Sequence, residues 1–309
     1  MSAERPTTAA VIGTGTIALG WIALFAARGL RVRISSTRPD AEEHVTSALG
    51  LYANSLPGGA VPVDELVERL TFAPDLASAV EGVDVVQENV LEDLPLKQRL
   101  FARVAAAAPE ALLLSSTSTL LPADLGAELD EPARVLVGHP FNPAHIVPLV
   151  EVVAADGADP AVVQAAVDFY RWLGKTPVVL RRAVPGFVAN RLQSALLRES
   201  IHLVREGVVT VDELDDIVTA SIGSRWAVVG PFHAFHLGGG PGGLRWLLEH
   251  LGAGLERSWA GLGNPPVDEA TKALILAQAD ASFGAKPYEE LAARRDAGQN
   301  AVIAAVNRA

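Results

Sequence analysis

In the first half of the chain, short β-branched and aliphatic runs alternate with segments whose apolar positions recur at helical spacing. Ala9–Gly13, Arg31–Ser35, Asp84–Gln87, Ala111–Ser115, Val135–Gly138 and Leu149–Val153 read as strands. Most are near-continuous in apolar character, as strands covered on both faces are. Helices are expected near Ile17–Arg28, Asp64–Leu70 and Pro95–Ala107, the last opened by a proline where a helix start tolerates it. This alternation predicts a parallel sheet with crossover helices.

After Pro177–Leu180 the texture changes. Phe187–Glu206 carries Leu192, Leu196 and Leu203 on a helical stripe, and Thr210 with Glu213 forms a capping box opening a helix over Val211–Ser221. Further helices are expected at Gly243–Leu251, Glu269–Ala279 and Pro287–Arg295, and no strand is expected in this part. With the boundary near Arg182–Pro185, the fold class is an α/β Rossmann-type parallel-sheet domain, residues 1–184, followed by an all-helical domain, residues 185–309.

Composition narrows the function classes. The 309 residues are half hydrophobic and one-fifth charged, a globular composition. The formal net charge is −11 and no Lys/Arg cluster makes a basic face, which argues against nucleic-acid or anionic-membrane partners. There is no cysteine, so disulfides, thiolate metal sites and cysteine nucleophiles are excluded. Met1–Thr8 is short and polar, without the apolar core of a signal peptide. No stretch reaches the roughly 18 apolar residues of a membrane span. A cytoplasmic location is therefore expected.

The first strand runs into Val11-Ile-Gly13-Thr-Gly15-Thr16-Ile17-Ala18-Leu-Gly20. Gly13 permits a tight turn, Gly15 lets the backbone approach a pyrophosphate, and Ala18 is small enough for close helix–strand packing. The helix start at Thr16 and Ile17 then offers free N–H groups to the diphosphate. Strand, turn and helix in this order point to a dinucleotide site. At the end of the second strand, Ile34-Ser35-Ser36-Thr37-Arg38 lacks the acid that commonly binds the adenine ribose. Hydroxyls and a guanidinium suit a 2′-phosphate, so NADPH is expected over NADH, with Ser36 and Arg38 as its readers. The alternative is that Arg38 is a solvated loop residue and NADH binds.

Three later strands end in or contain chemistry. Ala111–Ser118 ends in hydroxyls, Val135–Pro143 reaches His139, and Leu149-Val-Glu151-Val-Val sets a carboxylate among apolar neighbours. Active groups of open α/β sheets gather at the carboxyl ends of strands. A buried glutamate needs a partner, and His139 is the natural one. Such a pair fixes the imidazole tautomer and makes a general acid/base for interconverting alcohol and ketone. Taken singly, a His-Pro turn is commonly structural, and a glutamate between valines can face solvent on an edge strand.

Together, Gly13–Gly20, Ser116-Thr-Ser118, His139-Pro-Phe-Asn142-Pro, Leu149-Val-Glu151-Val-Val and Pro185-Gly-Phe-Val-Ala-Asn190-Arg191 resemble the 3-hydroxyacyl-CoA dehydrogenase family, in order and over nearly the whole chain. The resemblance implies that His139 is the acid/base, oriented by Glu151. It implies that Ser118 and Asn190 bond the substrate oxygen or hold the site together, and that Asn142 lies beside the histidine. Glu92 and Lys97 match positions near the nicotinamide, and a homodimer through the helical domain is implied. Two departures stand out: no acid ends the second strand, and Ser116 stands where acyl-CoA enzymes commonly carry Asn. The stretch Gly223–His236 looks closer to the carnitine dehydrogenase, gulonate dehydrogenase with lambda-crystallin, and aromatic-polyketide ketoreductase branches. The expected function is thus NAD(P)H-dependent reduction of a 3-oxo acid or thioester, as a stereospecific polyketide ketoreductase. Alternatives are a 3-hydroxyacyl-CoA or L-carnitine-type dehydrogenase and a non-catalytic, crystallin-like protein.

In the helical part, Arg225 is a candidate for a substrate carboxylate or for a structural ion pair. His233 and His236 lie i, i+3, but no third ligand is evident, so no metal is expected. Of the six residues Gly238–Gly243, five are glycine, which suits either a plain loop or a mobile cover. Trp226, Trp246 and Trp259 are expected in the core or at an interface.

Overall fold

A computed structural model describes residues 5–307. The reading of Met1–Thr8 as free of a signal peptide falls partly outside them. Eight strands form one sheet: β1 (Thr8–Ile12), β2 (Arg31–Ser35), β3 (Leu70–Phe72), β4 (Val85–Glu88), β5 (Leu112–Ser115), β6 (Val135–Pro140), β7 (Leu149–Val153) and β8 (Thr176–Val179). Their order is β3-β2-β1-β4-β5-β6-β7-β8. Every neighbouring pair is parallel except β6 and β7, which are antiparallel. That exception corrects the expectation of a wholly parallel sheet. Only a short loop joins β6 to β7, and a parallel return needs a crossover of a dozen or more residues. The chain therefore reverses on itself.

Strand order turns around at β1, with β2 on one side and β4 on the other. The crevice at that switch point lies beyond the carboxyl ends of the strands, where open α/β sheets bind ligands. Helix Thr16–Ala27 follows β1 and is buried along Ala18–Ala26 without a polar stripe. A helix apolar all round belongs inside a layer rather than on its surface. Its Trp21 and Phe25 meet Tyr170 and Phe169 of helix Pro160–Trp172, with ring centroids 5.7 and 5.5 Å apart. A second cluster fills the other face, around Phe101, Val104, Leu113, Val137 and Phe187.

The sequence reading missed several elements. The helix expected over Asp64–Leu70 is only Val63–Val67, and Leu70 already begins β3. Three residues at a sheet edge are too few to show a period. Helices Ala41–Tyr52 and Pro160–Trp172 were not anticipated. The helix expected over Val211–Ser221 is α-helical to Val218 and continues as a π turn, Thr219–Gly223, and the last helix runs over Tyr288–Val306. Gly238–Gly243 is not a plain loop. It is a tight joint between helices Pro231–Gly238 and Gly243–Ala260, holding a 3-10 turn at Gly240–Gly242. Gly243 has φ +61°, and a Cβ there would stand 2.4 Å from the His236 ring, so the joint needs a glycine.

Contacts divide the chain into two compact units. One runs through Val188 and includes Ala292–Asn300; the other is Ala189–Leu291 with the chain from Ala301 onward. The second unit is helical, with no strand among its described residues. Leu192, Leu197, Trp226, Phe232, Phe235, Leu237, Trp246 and Trp259 are exposed on it. The tryptophans are therefore not core in a single chain.

Within the first unit, Ala292–Asn300 brings Asp296 to a buried polar knot. The Ser55 hydroxyl donates to Asp296 Oδ2 at 3.1 Å and lies 2.9 Å from His145 Nε2, while Asn300 donates to the Ser55 carbonyl. Burial drives the His145 pKa down to about 4 against the pull of Asp296. An unfolded histidine titrates near 6.5. Between those values the unfolded chain binds the extra proton, so stability rises with pH, is complete above about 6.5, and falls away as pH drops towards 4. Denaturant unfolding at pH 7, 5.5 and 4.5 should show that loss. The variant His145→Gln should lose less over the same window, and an unchanged loss would assign the acid sensitivity elsewhere.

Candidate active site

The site is built from what the ends of β1, β4, β5 and β6 carry. Past β1, Gly13 has φ +98°, and a Cβ there would stand 2.8 Å from the Asn89 carbonyl oxygen. The Gly13 N–H donates to the Ser35 carbonyl and the Asn89 N–H to the Ile12 carbonyl, each at 2.8 Å, so the turn is tied to its neighbours on both sides. Gly15 caps helix Thr16–Ala27 with no side-chain cap, and nothing lies within 4 Å of where its Cβ would be. The first-turn N–H groups, including those of Thr16 and Ile17, thus meet no side-chain acceptor at the cap and no first-turn acid. Beside this turn, Asn89 Oδ1 is buried without a hydrogen-bond partner. A clear cradle, an uncapped helix start and an orphaned acceptor fit a dinucleotide.

The end of β2 is arranged differently from the expectation. Arg38 does not stand free: its Nε and Nη2 donate to the two oxygens of Asp40, at 3.0 and 2.7 Å. That hydrogen bond holds the Asp40 carboxyl below the usual range. Ser36 Oγ pairs with Thr14 Oγ1 at 3.0 Å and accepts the Arg38 N–H. So a carboxylate does sit near this strand end, five residues past Ser35.

His139 and Glu151 meet because β6 and β7 are antiparallel, in a register that sets the two residues opposite each other. Nδ1 of the buried His139 lies 2.9 Å from Oε2 of the buried Glu151. The other carboxylate oxygen accepts the Val188 N–H at 2.9 Å. Rings of Phe141 and Phe187 flank the imidazole, 4.6 and 5.4 Å away between centroids. No described residue hydrogen-bonds Nε2, so the carboxylate fixes one nitrogen and leaves the other for chemistry. Asn142 follows β6 and is exposed.

On β4 and β5 the side chains form a chain of charge. Lys97, expected near the nicotinamide, is 1% exposed. Its ammonium donates to Glu88 Oε1 at 2.6 Å and the Val90 carbonyl at 3.1 Å, and lies 3.5 Å from Glu92 Oε2. Glu92 Oε1 accepts from the Thr117 hydroxyl, the Ser118 N–H (3.0 Å), and the Thr119 N–H and hydroxyl (3.2 and 2.9 Å). Partial burial opposes ionisation of Glu92, but the Thr117 hydroxyl and the Lys97 charge outweigh it and hold the carboxyl below its usual range. Ser118 is half-buried, and its hydroxyl has no partner among the described residues. Sequence reading passed over Glu88. The signal was present: an acid ending the apolar run Val85–Glu88, the same feature that singled out Glu151.

Ser116 is a core acceptor, taking Trp21 Nε1–H at 3.1 Å and Gln87 Nε2–H at 2.8 Å, with Gln87 Oε1 in turn accepting the Tyr170 hydroxyl. The remaining candidates lie in the helical unit. Asn190 is in the first turn of helix Ala189–Arg205; Arg225, on helix Ser224–Val228, is exposed with no ion-pair partner among the described residues. No group of three or more His, Cys, Asp or Glu side chains that could hold a metal occurs among the described residues. No helix there is long and apolar enough to cross a membrane.

Comparison with known proteins agrees with this geometry. The NAD-binding domain of 3-hydroxyacyl-CoA dehydrogenase matches residues 8–183, and the C-terminal domain of the same enzyme matches residues 186–270. The L-carnitine dehydrogenase of Streptomyces griseus is 39% identical over 97% of this chain and 90% of its own length. That of Pseudomonas aeruginosa is 40% identical over 97% and 94%. Among solved structures, 5-formyl-3-hydroxy-2-methylpyridine 4-carboxylic acid 5-dehydrogenase, an NAD+-dependent dismutase, aligns with a TM-score of 0.75 at 30% identity, covering 98% of this chain and 99% of that one. The chain therefore belongs to the 3-hydroxyacyl-CoA dehydrogenase family, in the branch that holds the L-carnitine dehydrogenases, and is a nicotinamide-dependent oxidoreductase acting on a hydroxyl group.

Proposed function

We propose that the protein oxidises the 3-hydroxyl of L-carnitine, or of a closely similar small 3-hydroxy acid, with NAD+ as the acceptor. The observation that carries this reading is identity of 35 to 40% with L-carnitine dehydrogenases along nearly the whole chain, through both the sheet and the helical parts.

His139 Nε2 takes the hydroxyl proton as general base, and Glu151 holds the imidazole at Nδ1 and stabilises the charge that forms. NAD+ held at the glycine turn would supply the acceptor for the C3 hydride. Ser118 and Asn190 donate to the substrate oxygen and stabilise its developing charge. Arg225 pairs with the substrate carboxylate; its exposure and its lack of a counter-ion among the described residues support that role. Gly13, Gly15, Thr16 and Ile17 receive the pyrophosphate, with Asn142 beside the reacting end. In this reading residues 1–184 hold the coenzyme, and residues 185–309 supply substrate contacts and a dimer surface. Exposed apolar side chains along the helical unit support a homodimer, because a monomer rarely leaves so much apolar surface to water.

The polyketide-type ketoreductase expected from Ser36 and Arg38 stands second. It required a free guanidinium to receive a 2′-phosphate, and Arg38 is engaged by Asp40. A carboxylate there favours NAD by repelling the extra phosphate.

Initial rates with L-carnitine, with 3-hydroxybutyryl-CoA, and with NAD+ and NADP+ in parallel test this directly. Turnover is expected with L-carnitine and NAD+. In the same assay Arg225→Ala should raise the L-carnitine KM about 10- to 100-fold, the loss of one charge-assisted contact. Light scattering of the active preparation should return twice the chain mass. Turnover restricted to the thioester, or to a 3-oxo acid with NADPH, would overturn the substrate reading.

A further inference from the structure

We propose that Glu88 and Lys97 are positioning residues: a buried relay of charge from the end of β4, through the Lys97 ammonium to Glu92, sets the place of the Ser118 hydroxyl. The proposal rests on the reading of Ser118 as a ligand of the substrate oxygen.

The buried start of the relay is densely bonded. Glu88 is fully buried, and its carboxylate accepts from Lys97 (2.6 Å), from the Val90 N–H (2.6 Å) and from the Ser115 hydroxyl (2.5 Å). An ammonium has three N–H donors, and the three acceptors around Lys97 are Glu88, the Val90 carbonyl and Glu92. Glu92 in turn gathers the N–H groups of Ser118 and Thr119. Those two amides lie beyond the last residue of β5 and have no strand partner, so the carboxylate holds the main chain where the sheet has ceased to. From the other side, Ser115 Oγ accepts the Thr117 N–H at 3.2 Å, which ties the same turn to Glu88. The turn that carries Ser118 is thus gripped by two carboxylates joined through one buried cation.

Stability alone does not account for such a device. A buried ion pair does no better for the fold than apolar side chains of the same volume, because both charges have lost their water. Its directional bonds do fix geometry. Here they end on the main chain of Ser118, a half-buried serine whose hydroxyl has no partner among the described residues. Lys97 and Glu88 are out of solvent, so in this proposal their effect on turnover passes through that turn. A shift of about 1 Å in a positioned group costs on the order of a hundredfold in rate.

The test is a set of double-mutant cycles: Glu88→Gln, Lys97→Met and Glu92→Gln, each alone and combined with Ser118→Ala, with kcat and the coenzyme Kd measured for all. Each single relay variant is expected to lower kcat about tenfold or more. In the Ser118→Ala background the same change should cost less than about twofold, since groups that act as one unit are not additive. The coenzyme Kd should stay unchanged throughout. Glu92 is half-exposed, so Glu92→Gln keeps the buried Glu88–Lys97 pair and carries the test if the buried variants do not fold. Losses that multiply with Ser118→Ala, or that track a weakened coenzyme Kd, overturn the relay and return Glu92 to the nicotinamide. A Ser118→Ala enzyme with normal kcat overturns the reading of Ser118 itself, and the relay with it.

Discussion

Replacing His139 with Gln should lower kcat by about 10² to 10⁴, the usual worth of a positioned acid/base, while coenzyme binding stays within about twofold of normal. The split follows from where the residue sits. His139 ends β6 and bonds only Glu151, whereas the glycine turn and the open helix start lie past β1. Glutamine keeps the bulk and can still donate to Glu151, so β6 and β7 should stay in register. Glu151→Gln tests the second half of the pair. It preserves an acceptor for the Val188 N–H but removes the charge that orients the ring at Nδ1, and the wrong tautomer would then face the substrate. The two losses should not multiply: with His139 already gone, Glu151→Gln should cost less than about tenfold more. Single-turnover rates with L-carnitine, beside fluorescence titration of NADH, separate chemistry from binding. Retention of a tenth or more of wild-type kcat in His139→Gln would remove the residue from proton transfer.

How far the sequence alone foresaw this site depends on the range of the interaction involved. The apolar strands and the glycine turn were legible because their causes are local: a period, a positive φ, a helix start. Leu149–Val153 was placed to the residue, and Gly13, Gly15 and Ala18 were read in their correct setting. The pairing of His139 with Glu151 was inferred from the cost of an unpartnered carboxylate, but the means was missed. The short return from β6 to β7 makes the pair antiparallel and puts the two residues in register. The bond from Arg38 to Asp40 was not foreseen for a related reason, since no pattern announces a pair in a turn. Glu88 ends an apolar run, but nothing local names its partners: Lys97 and Ser115 are fixed by helix Leu94–Ala107 and by β5, and meet it only once the sheet is assembled. In the helical part, the apolar stripe at Leu192 and Leu196 was seen correctly as a helix face, yet both side chains are exposed. A period shows that a face wants cover; it does not say which surface supplies it.

Two glycines three atoms of backbone apart should fail in different ways, and the difference measures what the turn is for. Gly15→Ala should leave thermal stability within about 0.5 kcal/mol of wild type, as a substitution away from strain and packing does. Gly15 has φ −74° and ψ 177°, which any residue adopts, and its Cβ would meet no protein atom within 4 Å. That open space is the approach a pyrophosphate needs, so a methyl group there should weaken the coenzyme Kd by about tenfold or more, equivalent to the loss of one good hydrogen bond. Gly13→Ala should fail twice. At φ +98° an L-residue is strained whatever room it has, and its Cβ would stand 2.8 Å from the carbonyl oxygen of Asn89, a residue whose N–H is tied to the Ile12 carbonyl. The forced conformation costs about 1–3 kcal/mol, before any movement of the β4 end that the contact demands. Stability should therefore fall along with binding, and because Asn89 begins the segment leading to Glu92, kcat should fall as well. Differential scanning calorimetry and NADH titration on the two variants decide the matter. A Gly15→Ala protein that binds NADH normally would show that the diphosphate does not lie against this turn. A Gly13→Ala protein of normal stability would show that the β1 turn and the β4 end yield to each other, and the tight coupling between coenzyme cradle and serine turn would be lost with it.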